Sequence, residues 1–196
     1  FRLPDSYDTD YSSGGTSVYS LMSGGEADVE PLGGPFLYTL GWGYTILPHA
    51  GTHTITLEAD GDEILVYKNP QDEKEYLTIE ARAQSTLGNQ DFPAPLGLLI
   101  WHSDDNVTTS NTQEFMTANS HYRHAIEQAD GLFEFELGPA GTRPNEGDIF
   151  LPGKLFNDNT SPSTHWWNDS PSGFEVSDIE LLDDNYVRFK VSIPEL

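Results

Sequence analysis

The chain contains no cysteine among its 196 residues. Disulfide bonds therefore cannot contribute to its stability, and zinc cannot be held by thiolate ligands. Long apolar runs are also missing, because no segment reaches the ~18 consecutive apolar residues that indicate a membrane-spanning helix. We therefore expect no membrane-spanning segment.

Basic side chains are scarce. Lys and Arg together number 9, against 32 Asp and Glu, and the formal net charge is −23. Binding to phosphates needs clustered Lys and Arg, so nucleic acids and anionic membrane surfaces are excluded as partners. Repulsion among so many carboxylates must be offset by bound cations, by high external salt or by basic partners.

Enough apolar sequence is present for a folded core. Hydrophobic residues make up 36% of the chain and aromatic residues 12%, which argues against disorder. Alternating polar and apolar residues at 54–58, 75–82, 132–137, 174–182 and 186–193 predict strands, as does the apolar segment 64–67. The continuous apolar run near residues 97–102 predicts a strand buried on both faces. Residues 36–42 remain open between helix and strand, as do residues 122–129.

Turn signals suggest how these strands are connected. An Asp-Gly-Asp turn at residues 60–62 predicts a hairpin between the first two strands, and an Asp-Asp-Asn turn at residues 183–185 predicts a second hairpin between the last two. We expect a mostly β, antiparallel, sandwich-like domain with long acidic loops and little helix. Residues 1–50 are rich in loops and residues 51–196 form the antiparallel β module, and the two together are expected to make one compact unit.

Acidic loops are the first candidate sites. Asp5, Asp8 and Asp10 lie in a Ser- and Gly-rich segment, and oxygen-rich loops of this kind suit calcium. The alternative is a cluster of Asx turns exposed to solvent. Asp130 precedes a glycine and Asp148 follows one, and each is a weaker signal by itself.

Six histidines and a tryptophan pair are the other candidates. His121 and His124 are three residues apart, but the sequence contains no His-Glu-x-x-His motif, and we favour a structural or surface role for each histidine. Trp166 and Trp167 lie in a long loop, where they could contact a glycan or a partner. Capping of the core is the commoner role of such residues.

Several segments together resemble the M6 family of zinc metallopeptidases, which includes immune inhibitor A. Residues 3–10 read LPDSYDTD, residues 18–25 read VYSLMSGG and residues 40–42 read LGW. Residues 75–82, 97–102, 127–131, 147–150 and 170–173 resemble the rest of that domain in the same order. The resemblance covers nearly the whole chain and concerns the portion that follows the zinc-binding helix.

The resemblance places two residues at the family's zinc centre. The family motif is His-Glu-x-x-His-x-x-Gly-x-x-Asp, in which Asp5 occupies the position of the last zinc ligand, while Met22 occupies the position of the Met-turn. Arg2 stands where the family has a glycine. The two histidines and the general-base glutamate are not in these 196 residues, and one carboxylate alone cannot hold a catalytic zinc. Zinc is therefore expected only if an upstream His-Glu-x-x-His segment exists.

Three functions follow as expectations. The first is a non-catalytic, secreted or cell-surface β module that binds calcium, with Asp130 and Asp148 implicated by the resemblance in addition to Asp5, Asp8 and Asp10. The second is the C-terminal portion of an active M6 peptidase whose zinc helix lies on a segment outside these residues. The third is a glycan-binding β module that uses Trp166 and Trp167.

Self-association with copies of the chain, or binding to a partner protein, is expected as well. A peptidase domain without its zinc helix would expose apolar surface, and large apolar patches on soluble proteins usually mark interfaces. The residues expected near this surface are Leu21, Phe36, Leu37, Tyr38 and Trp42.

Overall fold

The computed structural model describes residues 3–17, 19–23, 31–83, 95–108, 111–112, 116–139 and 142–195. Its eight strands form two sheets, which confirms the mostly β, sandwich-like fold. In chain order the strands are β1 (Tyr44–Ile46), β2 (Gly51–Glu58), β3 (Glu63–Asn69), β4 (Asp72–Arg82), β5 (Gly97–Asp104), β6 (His124–Ile126), β7 (Glu175–Leu182) and β8 (Tyr186–Ile193).

The larger sheet has five strands in the order β1-β3-β4-β5-β6. All neighbours are antiparallel except β1 and β3, which are parallel. Strand β5 lies between β4 and β6, and all eight of its residues are buried, as the continuous apolar run predicted. The pairing of β4 with β5 is the longest in this sheet and runs from Glu75 opposite Asp104 to Arg82 opposite Gly97.

The smaller sheet has the antiparallel order β2-β8-β7. Buried and exposed residues alternate along β8, and Val187, Phe189 and Val191 point into the core. They join Leu65 and Ile100 of the larger sheet in one hydrophobic cluster between the sheets. The predicted hairpin between β7 and β8 is correct, and the 3₁₀ turn Asp183–Asn185 connects the two strands.

The predicted hairpin between the first two strands is wrong. Strand β2 pairs with β8 and strand β3 pairs with β4, so the chain passes from one sheet to the other at residues 60–62. The local turn forms, because the Gly61 N–H donates to the Glu58 carbonyl at 3.2 Å. Asp60, whose φ is 55°, donates its backbone N–H to the carbonyl of Ala81 in β4, and the chain continues into the other sheet. Tertiary pairing thus overrides the predicted hairpin although the turn itself is present.

Two short helices complete the described elements. Helix α1 (Gly34–Leu40) answers the open question at residues 36–42, and it ends at Gly41, whose φ of 65° suits a residue without Cβ. Helix α2 (Glu134–Leu137) replaces the strand predicted at residues 132–137, because the backbone N–H of Glu134 donates to the side-chain oxygen of Gln128 and a helical turn begins there. No helix in the described ranges is long and apolar enough to cross a membrane.

The first 50 residues pack against the rest of the chain through backbone hydrogen bonds. The N–H of Thr9 donates to the carbonyl of Asn111 at 2.9 Å, and that of Gly14 donates to Phe135 at 2.8 Å. Residues 84–94, which include most of the proline-rich connection between β4 and β5, and Arg2 lie outside the described residues.

The packing between the sheets generates a stability prediction. Replacement Phe189→Ala removes a fully buried ring and leaves a cavity, so we expect the free energy of unfolding to fall by about 3–5 kcal/mol in urea denaturation. The neighbouring replacement Lys190→Ala, on the exposed face of the same strand, should change it by at most about 1 kcal/mol. Equal effects of the two replacements would contradict the sandwich core.

Candidate functional site

Three carboxylates from separate segments converge beside helix α2. They belong to Asp130, which follows β6, to Glu134, the first residue of α2, and to Asp148, the last residue of the 3₁₀ helix Glu146–Asp148. One oxygen of each lies within 4.8 Å of the others, and no other such group of three His, Asp or Glu is found in the part of the chain that the structure describes. Asp130 and Asp148 were both predicted from the sequence.

The backbone around the cluster holds these side chains in place. Asn145 and Asp148 form a capping box, in which the Asn145 N–H donates to Asp148 Oδ2 at 2.7 Å and the Gly147 N–H donates to Asn145 Oδ1. The Asn145 amide group also donates to Glu134 Oε2 at 2.7 Å. A Cβ at position 147 would lie 2.4 Å from Asp130 Oδ2, so a larger residue there would displace this carboxylate.

Asp148 is the unusual member of the cluster. Its side chain is fully buried, and although Oδ2 also accepts a hydrogen bond from the Tyr19 hydroxyl at 3.2 Å, Oδ1 is buried with no partner among the described residues. Burial raises the pKa of Asp148 to about 6, the charges of Asp130 and Glu134 act in the same direction, and the hydrogen bonds from Asn145 and Tyr19 oppose them. A buried carboxylate oxygen without a donor requires an explanation.

The residues of this cluster fit calcium better than zinc. Calcium takes six to eight oxygen ligands, which carboxylates, backbone carbonyls and water supply. Zinc sites normally include imidazole or thiolate ligands, and this group contains neither. The three carboxylates would supply part of a calcium shell, and Asp148 Oδ1 would gain the partner that it lacks.

The structure does not bring Asp5, Asp8 and Asp10 into a comparable group. Asp8 is buried, and its oxygens accept from the Asp10 N–H at 3.1 Å, the Ser12 hydroxyl at 3.0 Å and the Ser13 hydroxyl at 2.8 Å. Burial opposes the charge of Asp8, but these hydrogen bonds outweigh it and lower the pKa. Asp8 therefore anchors turns.

Asp5 and Met22, which the M6 resemblance assigns to a zinc centre, lie on neighbouring segments. Asp5 is exposed, and the N–H of the next residue, Ser6, donates to the carbonyl of Met22 at 2.9 Å. Met22 is partly buried in the 3₁₀ helix Leu21–Ser23. The chain segments that carry Asp5 and Met22 are therefore adjacent.

The tryptophan pair divides between two roles. Trp166 is 4% exposed and stacks on Tyr67 within the core between the sheets, so it caps the core. Trp167 is only partly buried, and its ring stacks on the imidazoles of His102 at 4.6 Å and His121 at 4.2 Å between ring centroids. The main-chain N–H of Trp167 donates to Glu75 Oε1 at 2.6 Å.

His102 on β5 is held between two buried carboxylates. Its Nε2 lies 3.0 Å from Glu75 Oε1, and its Nδ1 lies 3.3 Å from Glu127 Oε1. Burial opposes the charged imidazole, but the hydrogen bonds to Glu127 and Glu75 outweigh it and raise the pKa of His102. Burial likewise opposes the charge of Glu75, whose pKa is nevertheless lowered by the hydrogen bonds from His102, Trp167 and Asn69.

The remaining close pair of histidines does not form a zinc site. His121 Nε2 pairs with Asp104 at 3.0 Å, and His124 Nδ1 lies 2.9 Å from the Ser103 hydroxyl. Burial lowers the pKa of His124 to about 3, so this residue stays neutral. The structural role expected for these histidines agrees with their contacts.

Sequence reasoning missed Glu134 as a member of the cluster and Glu75 and Glu127 as partners of His102. Glu134 lay in a segment predicted to be a strand, whereas its spacing of four residues from Asp130 in an acidic loop was the available signal. Glu75 and Glu127 are brought to His102 by the pairing of β5 with its two neighbours, and no local pattern indicates this.

Comparison with known proteins adds no identification. No family model, curated protein or solved structure matches the chain. The M6 likeness therefore depends on the sequence motifs and stays a prediction.

The pKa of His102 generates a pH prediction. Because that pKa is raised in the folded state, the stabilisation from the charged imidazole is complete below its usual value of about 6.5 and is lost as pH rises through the higher folded value. Replacement His102→Gln should cost about 3–5 kcal/mol of unfolding free energy at pH ~6 and clearly less at pH ~9.

Urea denaturation at both pH values measures this difference. His49→Gln, at an exposed position, is the control and should have little effect at either pH. A cost of His102→Gln that is the same at both pH values would show that the imidazole is not charged in the folded protein.

Proposed function

We propose that this chain is a non-catalytic, calcium-binding extracellular β module that resembles the C-terminal part of an M6 metallopeptidase. The observation that carries the proposal is the buried, unpartnered Oδ1 of Asp148 within the cluster of Asp130, Glu134 and Asp148. A divalent cation there would neutralise carboxylates that no Lys or Arg contacts in the described structure.

The overall charge supports this proposal. A chain of net charge −23 gains from any bound cation, because each ion reduces the repulsion among its acidic groups. Calcium sites of extracellular modules commonly have dissociation constants of about 10⁻⁴–10⁻³ M, which suits a shell that is only partly made of carboxylates. This consideration, with the M6 likeness, is why we propose a secreted or cell-surface location.

The small number of possible zinc ligands supports the proposal that these residues are not catalytic. The 196 residues include no His-Glu-x-x-His, and Asp5 is the one position that corresponds to a family zinc ligand. His102, His121 and His124 are engaged with Glu75, Asp104 and Ser103 and do not converge on Asp5 in a group of three metal ligands.

A second candidate function has one observation in its favour. The Ser6–Met22 hydrogen bond of 2.9 Å places the Asp5 and Met22 segments side by side, as a zinc centre of the family would require. The chain would then be the C-terminal portion of an active peptidase whose helix lies on another segment. An in-frame His-Glu-x-x-His before Phe1 would favour this candidate. Glycan binding is weakened as a third candidate, because Trp166 is buried in the core.

The calcium proposal predicts a stabilisation. With free calcium a hundredfold above the dissociation constant, binding adds ~2.7 kcal/mol, which raises the melting temperature of a domain of this size by roughly 5–10 °C over that in excess chelator. Differential scanning calorimetry measures both temperatures. Replacement Asp148→Asn should abolish most of the rise, because the amide group cannot serve as an anionic ligand.

Glu146→Gln is the matched control, since Glu146 is exposed on the same 3₁₀ turn and is not a member of the cluster. It should leave the calcium-dependent rise unchanged. A wild-type melting temperature that is the same in calcium and in chelator would reject the proposed function. A rise that persists in Asp148→Asn would place the ion elsewhere.

We also propose self-association through apolar surface near α1 and β1. Leu21, Trp42, Tyr44 and Leu47 are 57%, 56%, 70% and 62% exposed, respectively. Phe36 was expected at this surface but is fully buried, where it packs edge to face against Trp101 and His124. Leu37 and Tyr38 are partly buried against the cluster formed by Ile64, Val66 and Tyr76.

Sedimentation velocity tests this proposal at high protein concentration with calcium present. The wild type should form dimers or larger species, and the double replacement Tyr44→Glu with Leu47→Glu should shift them to monomer, because it adds charge to the apolar surface. Leu155→Glu, at a half-exposed leucine elsewhere, should have no such effect. A wild-type monomer under these conditions would contradict self-association.

A further inference from the structure

A cavity of about 420 Å³ lies between the β5–β6 side of the larger sheet and the loop that carries the two tryptophans. Its volume is in the range of small-molecule and side-chain binding sites, about 300–1,000 Å³. Two carboxyls and three aromatic rings are among its walls, and these belong to Glu127, Glu136, Phe133, Trp166 and Trp167. This cavity does not include the proposed calcium ligands.

The two glutamates of the cavity are buried without a permanently charged partner. Glu127 is 8% exposed and Glu136 is 4% exposed. Glu127 pairs with His102, and Glu136 accepts a hydrogen bond from the Gln128 side chain at 2.8 Å. Neither forms a salt bridge with Lys or Arg among the described residues.

The two carboxyls also act on each other. Both Glu127 and Glu136 line the same cavity. Like charges that share a buried site disfavour each other's ionised form, and a cation between them relieves this repulsion. The imidazole of His102 does not fully do so, because it is shared between Glu127 and Glu75.

The other walls indicate what kind of cation would fit. None of the described residues that line the cavity is Lys or Arg. The imidazoles among them are His102, which pairs with Glu127, and His165, which pairs with Asp169 at 3.1 Å, and the rings of Phe133 and Trp166 are among the aromatic walls. Ammonium and guanidinium groups bind favourably over the face of Trp and, less strongly, Phe. A small metal ion would prefer a shell of oxygen atoms, which apolar walls such as Met116 and Phe133 do not offer.

We propose that this cavity binds an organic cation, an ammonium or guanidinium group on an aliphatic stem like that of a Lys or Arg side chain. The charged end contacts Glu127 and Glu136, and the stem lies against the indole rings. Such a ligand could be a free amino acid derivative or a basic side chain of a polypeptide, and the cation is the chemistry that both share. The proposal is independent of calcium binding and of the M6 likeness.

Isothermal titration calorimetry of the calcium-saturated full chain tests this proposal. The probe is N-acetyl-arginine amide, and the matched control is N-acetyl-citrulline amide, which has nearly the same shape but no charge. Because contacts to a charged group contribute about 1.5–3 kcal/mol, the arginine amide should bind at least about tenfold more tightly than the citrulline amide. Equal affinity of the two compounds, or no binding of either, would overturn the proposal.

Two single variants locate the binding site. Glu136→Gln and Glu127→Gln keep the shape and the hydrogen-bonding oxygen of each side chain, and each should weaken binding of the arginine amide about tenfold. Glu146→Gln, an exposed glutamate outside the cavity, should leave the affinity unchanged. Melting temperatures show which variants remain folded. Wild-type affinity in both folded cavity variants would overturn the assignment.

A further titration distinguishes the sources of the cation. Tighter binding of a pentapeptide with a central arginine and glycines on both sides would identify a basic side chain of a polypeptide as the occupant. Binding no tighter than that of the amide would identify the free cation. Under either result, the affinity for the ligand should fall in Glu127→Gln and in Glu136→Gln. A peptide that binds these variants as tightly as it binds the wild type would contradict the assignment of the site.

Discussion

Buried carboxylates in this protein have few possible basic partners, because the chain contains 32 Asp and Glu but only 9 Lys and Arg. Removing a carboxylate from water costs several kcal/mol unless hydrogen bonds or a counter-charge replace the lost hydration. The fold therefore stabilises its buried acids in different ways. Asp8 accepts from serine hydroxyls, Glu80 from Arg82 and the Trp101 indole, Glu75 and Glu127 from His102, and Glu136 has a pKa raised to about 8. Among the described residues, Asp148 Oδ1 is the buried carboxylate oxygen that has no hydrogen-bond partner.

Strand β5 links the core to these acidic sites. Ile100 packs in the core between the two sheets, whereas Leu99 and Trp101 pack on the other face with Phe135 of α2. His102 follows directly and enters the carboxylate network. Since side chains alternate between the two faces of a strand, one buried segment can support the core and the functional residues at the same time.

The local pattern of polar and apolar residues predicted the strands, because this pattern reflects which side chains are buried. Strands β4, β5, β7 and β8 were expected because alternation or a continuous apolar run reports directly which faces are covered. Partner choice is a tertiary property, and for this reason β2 was wrongly paired with β3 although both strands exist. Helix α2 was missed because it begins with a hydrogen bond from the Glu134 N–H to the Gln128 side chain, six residues earlier, which the alternating pattern does not indicate. Of the proposed calcium ligands, Asp130 and Asp148 were implicated by the M6 resemblance, and Glu134 was missed because its segment was predicted to be a strand.

The two proposed sites are built on a single helical turn. Glu134 contributes to the calcium cluster, and Glu136, two residues later, contributes to the cavity. Gln128 holds both ends of this arrangement, because its side-chain oxygen accepts from the Glu134 N–H at 2.8 Å and its amide group donates to Glu136 Oε2 at 2.8 Å. Helix α2 has only four residues and could not persist by itself. Its geometry therefore depends on the two hydrogen bonds of Gln128 and on the packing of Phe135.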